Sequence, residues 1–336
     1  MMTAIPHLRP WILPEDRKAV DRALSEKSVC SFHYAEMLSK ELESYAGFGT
    51  CRLFSSGTLA LRAALLCSGI PEGSGVGIPS FTCSGVLGGV LTAGLRPYVI
   101  DCDDSGLMSA DHALEAFKNG HIGACCAVHQ FGLINRSVES LTGFMPVFED
   151  CSHVLPKRYL NGSRGIFGSL EGTKLLGAGE GGYLILDVHC RQGDAVRNIH
   201  INLGGRLSDI IAVLALKQLD RIEENILKRE SIAVMYKKVL HSIVPVDGER
   251  GTWFRFLLTM DSMDQTDDII KKAGEAGITL RRPVMPHCLH KYIDEYRDKC
   301  PNSDRLWERM VSLPMYPDLT GSEIERITQF LKKSFS

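Results

Sequence analysis

The sequence predicts an α/β protein: a large domain with a mostly parallel sheet flanked by helices, then a smaller C-terminal α+β domain. Three observations carry this. Over the first two thirds of the 336 residues, short apolar runs alternate with helical patterns, as in a sheet built with crossover helices. The apolar runs are mostly continuous rather than alternating, which suits strands buried on both faces. From Ser208 to Leu240 a helical pattern runs without Gly or Pro, long enough to join two domains as a kinked or doubled helix.

In chain order, Thr58–Ser68 reads as a helix and Val76–Ile78 as a strand. Ser84–Ala93 follows as a helix. Pro97–Asp101, Ile122–His129, Met145–Asp150 and Tyr183–Asp187 read as strands. Ile210, Leu214, Leu219, Ile222, Ile226 and Leu227 form one stripe along the long helical stretch. Beyond it, Thr252–Met260 reads as a strand, Asp267–Ala276 as a helix stopped by Gly277, and Ile278–Arg282 as a second strand. Thr320 and Glu323 have the spacing of a capping box that opens the last helix. The expected division is residues 1–215 for the large domain and 216–336 for the small one.

Hydrophobic residues make up 44% of the chain, charged residues 23%, and the formal charge is −2. That is ordinary globular composition. It lacks the basic excess expected for a nucleic-acid or anionic-membrane partner. The uncharged stretch from Gly73 to Leu95 is long enough to span a bilayer, but Gly, Ser and Pro79 break its first half. It therefore reads as turn, strand, turn and helix. The first residues contain no apolar run of signal-peptide length. Eleven cysteines are scattered, with one adjacent pair (Cys125, Cys126) and no CxxC, which predicts free thiols in a reducing cytoplasm. No HExxH or paired Cys/His spacing marks a metal site.

Three segments carry candidate chemistry, at places where a parallel sheet puts its ligand: beyond the carboxyl ends of its strands. Ser56-Gly57-Thr58 opens a helix and offers either an anion site or a plain N-cap. Asp150 leaves a buried strand within Glu149-Asp150-Cys151-Ser152-His153, and either holds a positive charge or sits in a surface turn. Lys174 lies between small residues in Ser169–Gly182, just before an apolar run. Most lysines are solvated. The glycines here allow close backbone approach to a ligand, and a lysine made less basic by its surroundings forms a Schiff base with a carbonyl. Gly177-x-Gly179-x-x-Gly182 mimics a dinucleotide fingerprint but precedes a strand instead of following one. Gly172-Thr173-Lys174 lacks the rest of a P-loop.

Taken in order, these segments resemble the DegT/StrS-type sugar aminotransferases, a branch of the fold-type I pyridoxal-phosphate (PLP) enzymes. The resemblance covers nearly the whole chain. It rests on Ser56–Leu61 (SGTxAL), Pro79–Thr82 (PSFT), Val128–Gly132 (VHxxG), Glu149–His153 (EDxxQ/H) and Thr173–Gly182 (TKxLxxGEGG). Gly205–Asp209 and Ser312–Pro317 are similar to later family blocks.

The resemblance implies that Lys174 holds PLP as a Schiff base and then shuttles a proton. It implies that Asp150 pairs with the pyridine nitrogen, that His153 hydrogen-bonds the phenolic oxygen, and that Gly57, Thr58 and Ser169 bind the phosphate. An amino donor, taken as glutamate, and a nucleotide-linked keto-sugar would react in ping-pong order in a homodimer. The sequence departs from the family in three places. Cys83 stands where an aromatic usually covers the cofactor ring, Gly204 stands at the family's cross-subunit Asn, and the usual GD pair is missing around Gly162–Gly168.

Three other readings each require a sign in the sequence. A PLP-dependent sugar dehydratase of this fold typically carries His at the lysine position. A non-catalytic regulatory homologue would have lost Lys174 or Asp150. A nucleotide-sugar oxidoreductase needs a GxGxxG opening a helix near the N-terminus. The sequence shows none of these signs.

Overall fold

The computed structural model describes residues 3–29, 31–187, 206–240, 246 and 248–335. Gly204 and Gly205 lie outside the described residues. Seven strands form the main sheet: β1 (Thr50–Phe54), β2 (Gly75–Pro79), β3 (Arg96–Ile100), β4 (Ala124–Val128), β5 (Val147–Asp150), β6 (Gly165–Ser169) and β7 (Gly182–Leu186). Their spatial order is β1-β7-β6-β5-β4-β2-β3. The pairs from β3 through β6 are parallel, and β7 runs antiparallel to both β6 and β1.

Strands β2, β4, β5 and β7 are buried along their whole length. This is the physical source of their mostly apolar sequences, since both faces are covered. On one face Phe54, Leu61, Val76, Val90 and Phe148 share a core with α3 (Gly57–Leu66) and α4 (Ser84–Thr92). The other face is covered in part by α2 (His33–Ala46) and α6 (Asp209–Asp220), through Leu38, Leu42, Ile185, Ala212 and Leu216. The uncharged stretch 73–95 folds as β2 and α4. No helix among the described residues is long and apolar enough to cross a membrane.

The long helical stretch is two helices, α6 and α7 (Ile222–Lys237), broken at Arg221 (φ −117°, ψ 21°). The break is tied down: Arg221 donates to both oxygens of the fully buried Asp16, at 2.8 and 2.5 Å. Beyond it, β8 (Phe256–Thr259) and β9 (Met310–Leu313) make a separate antiparallel pair. They pack with α7, α8 (Met263–Glu275) and α10 (Gly321–Phe335) around a second core containing Tyr236, Phe256, Leu313, Ile327 and also Ile5 from the amino end. The capping box is present: Glu323 N–H donates to Thr320 Oγ1 (3.2 Å), and Thr320 N–H donates to the Glu323 carboxylate (2.9 Å).

The sequence reading needs corrections here. Ile278–Arg282 is not a strand. Ile278 and Arg281 make single bridges to different partners, Ile5 and Ser312, so no ladder forms. β1, β6 and β9 carry no clear signal in the sequence, because they are short and hold Arg52, two glycines and Ser312 respectively.

Asp209, the last residue of the family-like Gly205–Asp209 block, has a fixing role. Its side chain reaches the start of α2, accepting from the amides of Phe32 (2.9 Å), Tyr34 (2.8 Å) and Ala35 (3.2 Å) and from the Ser31 hydroxyl (2.9 Å). A carboxylate there satisfies amides that a helix start leaves open. Replacing Asp209 by Ala is expected to lower stability by about 2–3 kcal/mol, since hydrogen bonds to charged groups are worth about 1.5–3 kcal/mol. Urea unfolding checks this, and a midpoint equal to wild type would contradict it.

Candidate active site

The carboxyl ends of β4, β5 and β6, the turn after β2 and the start of α3 surround a cavity of about 340 Å³. The seven residues singled out from the sequence all line it: Gly57, Thr58, Cys83, Asp150, His153, Ser169 and Lys174. A larger open depression, about 1220 Å³, lies between α8 and α10 and contains none of them.

Lys174 sits in the loop between β6 and β7. Backbone bonds close this loop on itself: Leu170 N–H to Gly181 O, Gly172 N–H to Gly179 O, and Ala178 N–H to Leu170 O. Gly182 must be glycine, because a Cβ there would stand 2.5 Å from the backbone of Ser56 and Gly57. This close approach brings the lysine loop against the start of α3.

Lys174 Nζ lies 2.8 Å from His153 Nε2. His153 Nδ1 accepts the Phe131 N–H at 3.1 Å. An imidazole whose Nδ1 accepts carries its proton on Nε2. The network therefore assigns Nε2–H as donor and Lys174 as acceptor, and only a neutral amine can accept. The electrostatics agree. Burial pushes the Lys174 pKa down. His153 is pushed well below its ordinary value, chiefly by burial. Phe254 stacks on the imidazole, with ring centres 4.0 Å apart and planes 13° from parallel.

Asp150 ends β5 and is buried, with Oδ1 accepting the Ser152 N–H at 2.9 Å. That bond leaves Oδ2 for a cationic partner in the cavity. Across from it, Ser56 caps α3 by accepting the Leu59 N–H (3.2 Å). A Cβ on Gly57 would come 3.2 Å from Ser169 Cβ, so bare backbone lines this wall. Helix N-termini with open amides attract phosphate. Ser169 is itself held, its N–H on Ser152 Oγ and its Oγ accepting from Glu171 N–H.

Cys83 is the exposed cap residue of α4 and lines the cavity. Phe81 does not: it is fully buried, edge-on to Phe131. Phe81 therefore does not stand in for the aromatic missing at the PSFT turn; the Phe ring among the cavity's described lining residues is Phe167, in β6.

Several residues were not assigned roles from the sequence. His129 lines the cavity and pairs with the fully buried Glu149 at 3.0 Å. Glu149 also accepts from the amides of Tyr159 and Leu160 and the Ser163 hydroxyl. Its place beside Asp150 was the available signal. Phe254, Arg255 and Arg229 come from the distant C-terminal part, and no local pattern marks them.

A neutral buried amine suits attack on a carbonyl, and the strand-end acid and helix amides opposite fit a charged ring and a phosphate; the class is that of the PLP-dependent aminotransferases. The chain belongs to the DegT/DnrJ/EryC1/StrS aminotransferase family, whose family model matches residues 11–332. It is similar to a GDP-perosamine synthase of Escherichia coli O157:H7, 24% identical over 364 residues that cover all of both chains. Among solved structures it is similar to PseC of Helicobacter pylori, an aminotransferase involved in pseudoaminic acid biosynthesis, with TM-score 0.88, 19% identity and 99% of each chain covered. It is also similar to NtdA of Bacillus subtilis with bound cofactor PMP, with TM-score 0.90, 19% identity, all of this chain and 86% of that one.

A neutral Lys174 should react with acylating reagents at lower pH than solvated lysines, because a lowered pKa raises the unprotonated fraction at any given pH. In cofactor-free protein treated with acetic anhydride near pH 7, peptide mass mapping is expected to find Lys174 modified ahead of the exposed Lys272. Equal rates at the two positions would show an ordinary, protonated lysine.

Proposed function

We propose that this protein moves an amino group from an amino acid, glutamate in the first instance, to a keto-sugar carried on a nucleotide. The observation that carries the reading is Lys174 Nζ at 2.8 Å from His153 Nε2, in a cavity walled by Asp150 and the start of α3. Support for the sugar comes from the full-length likeness to a GDP-perosamine synthase. The nine described cysteines are free thiols, which supports a cytoplasmic setting. Homodimers are the expected assembly of this fold class. The division into 1–215 and 216–336 is kept as the working domain boundary.

PLP, when bound, supplies an aldehyde to carry the amino group and a ring to take up electrons. The chain's own groups do the rest. Asp150 holds the positive charge of the pyridine nitrogen. His153 donates Nε2–H to the phenolic oxygen, as it now does to Lys174. Gly57, Thr58 and Ser169 receive the phosphate. Lys174 would hold the cofactor, and its amine, whose pKa burial lowers, would serve as the base that moves the substrate proton. Cys83, which lines the cavity, would cover less of the ring than an aromatic would.

The test is a screen of nucleotide-linked keto-sugars with glutamate, reading out 2-oxoglutarate. At least one acceptor is expected to give turnover that Lys174→Ala abolishes. Borohydride reduction of the holoenzyme should leave cofactor mass on the Lys174 peptide. Turnover or labelling that survives Lys174→Ala would remove the assignment.

Asp150→Asn should keep the fold yet slow both half-reactions, each ~1.4 kcal/mol of lost charge stabilisation costing about tenfold. Stopped-flow absorbance with glutamate alone checks the first half-reaction; a wild-type rate there would refute the role.

A further inference from the structure

Two arginines, Arg255 and Arg281, make no ion pair among the described residues, and the first adjoins the Phe254 ring. Arg255 follows Phe254 in the chain, and its guanidinium carbon lies 5.1 Å from the Phe254 ring centre. The same ring has Lys174 Nζ at 5.4 Å and is stacked with His153. Arg255 is closely surrounded by protein but keeps part of its surface open. Among the described residues it makes no ion pair, and its one side-chain hydrogen bond goes to His7 Nδ1 at 3.1 Å. A guanidinium has five N–H donors, so most of its fork is unused. Glu171 is the acid whose charge it feels, and that carboxylate is engaged by the Thr173 amide (3.1 Å) and hydroxyl (2.7 Å). Arg281, exposed and without an ion pair among the described residues, adds its charge to both His7 and Arg255.

His7 cannot be charged in this arrangement. Arginine only donates, so Nδ1 must accept, and the ring's proton is on Nε2, 3.0 Å from Ser312 Oγ. Ser312 belongs to β9, and its backbone pairs with that of Arg281. A neutral imidazole that orients one guanidinium, with a second cation beside it, adds no negative charge. Such a cluster is complete only with an anion.

We propose that Arg255, oriented by His7 and flanked by Arg281, binds the carboxylate of the amino-acid donor. This rests on the aminotransferase reading above and names the recognition element of its first half-reaction. The planar fork matches a carboxylate's two oxygens. The Arg255 guanidinium and the Lys174 amine lie 5.1 and 5.4 Å from the same Phe254 ring centre, and that closeness is what ties the fork to the reacting amine. His7 is a positioning residue, acting through Arg255. The other oxyanion in reach of this reading is the diphosphate of the nucleotide-linked acceptor, and the test separates the two.

Calorimetric titration of the holoenzyme with 2-oxoglutarate, and separately with GDP, UDP and TDP, reads both. Arg255→Gln is expected to weaken 2-oxoglutarate binding by about tenfold to a hundredfold, the range for a hydrogen bond to a charged group, with nucleotide affinity unchanged. Arg255→Lys keeps the charge and should recover part of the loss. His7→Phe should raise KM for glutamate with kcat near wild type, and His7→Gln, which retains an acceptor, should restore it. Unchanged 2-oxoglutarate affinity in Arg255→Gln, or a loss confined to the nucleoside diphosphates, overturns the proposal. Should wild-type holoenzyme show no absorbance change with any amino acid, the aminotransferase reading itself fails and takes this proposal with it. A wild type that responds while Arg255→Gln matches it fails the proposal alone.

Discussion

Phe131 donates its amide to His153 Nδ1, and that bond fixes which ring nitrogen bears the proton and hence the charge Lys174 can hold. The amide is aimed by an unusual backbone: Phe131 has φ 62°, ψ 6°, the left-handed region for a bulky residue, at a cost of about 1–3 kcal/mol. Contacts from the segment leading into β8 hold it there. Arg255 N–H donates to Phe131 O, and the Gly251 and Thr252 amides donate to Gly132 O. Gly132 has no room for a side chain, since a Cβ there would press on Thr252. The protonation state of the lysine thus depends on a turn after β4 that the segment leading into β8 braces.

Much of this arrangement was legible because the sheet is buried. The mostly apolar runs Ile122–His129, Met145–Asp150 and Tyr183–Asp187 could be read directly, and with them the strand end that carries Asp150 and the strand that follows Lys174. Glycines in the Lys174 loop were equally plain, since close approach at Gly182 tolerates nothing larger. Gly177–Gly182 has the glycine spacing of a dinucleotide site, but it enters a strand and opens no helix.

What stayed hidden depends on distance along the chain or on partners that periodicity does not encode. β7 being antiparallel to both neighbours leaves no mark on an apolar run. β6 is Gly-Ile-Phe-Gly-Ser, a composition that suggests a turn, and becomes a strand through pairing with β5 and β7. Ile278–Arg282 has strand composition and lacks a continuous neighbour. Phe254 and Arg255 reach His153 and Lys174 from about a hundred residues away in sequence, and His7 reaches Arg255 from still farther.

The stacking of Phe254 on His153 bears on how this enzyme can be recombined. The lysine, the acid and the phosphate-side helix all lie before residue 215, which suggests a portable cofactor module with an exchangeable cap. The contacts made across that point in the chain argue against such an exchange. A chimera joining this large domain to a foreign C-terminal part would lose the Phe254 ring from the imidazole, the brace on the Phe131 turn and the Arg255 fork together. Swapping for new specificity is therefore better aimed at individual side chains around the cavity mouth, Cys83 among them, than at the domain boundary.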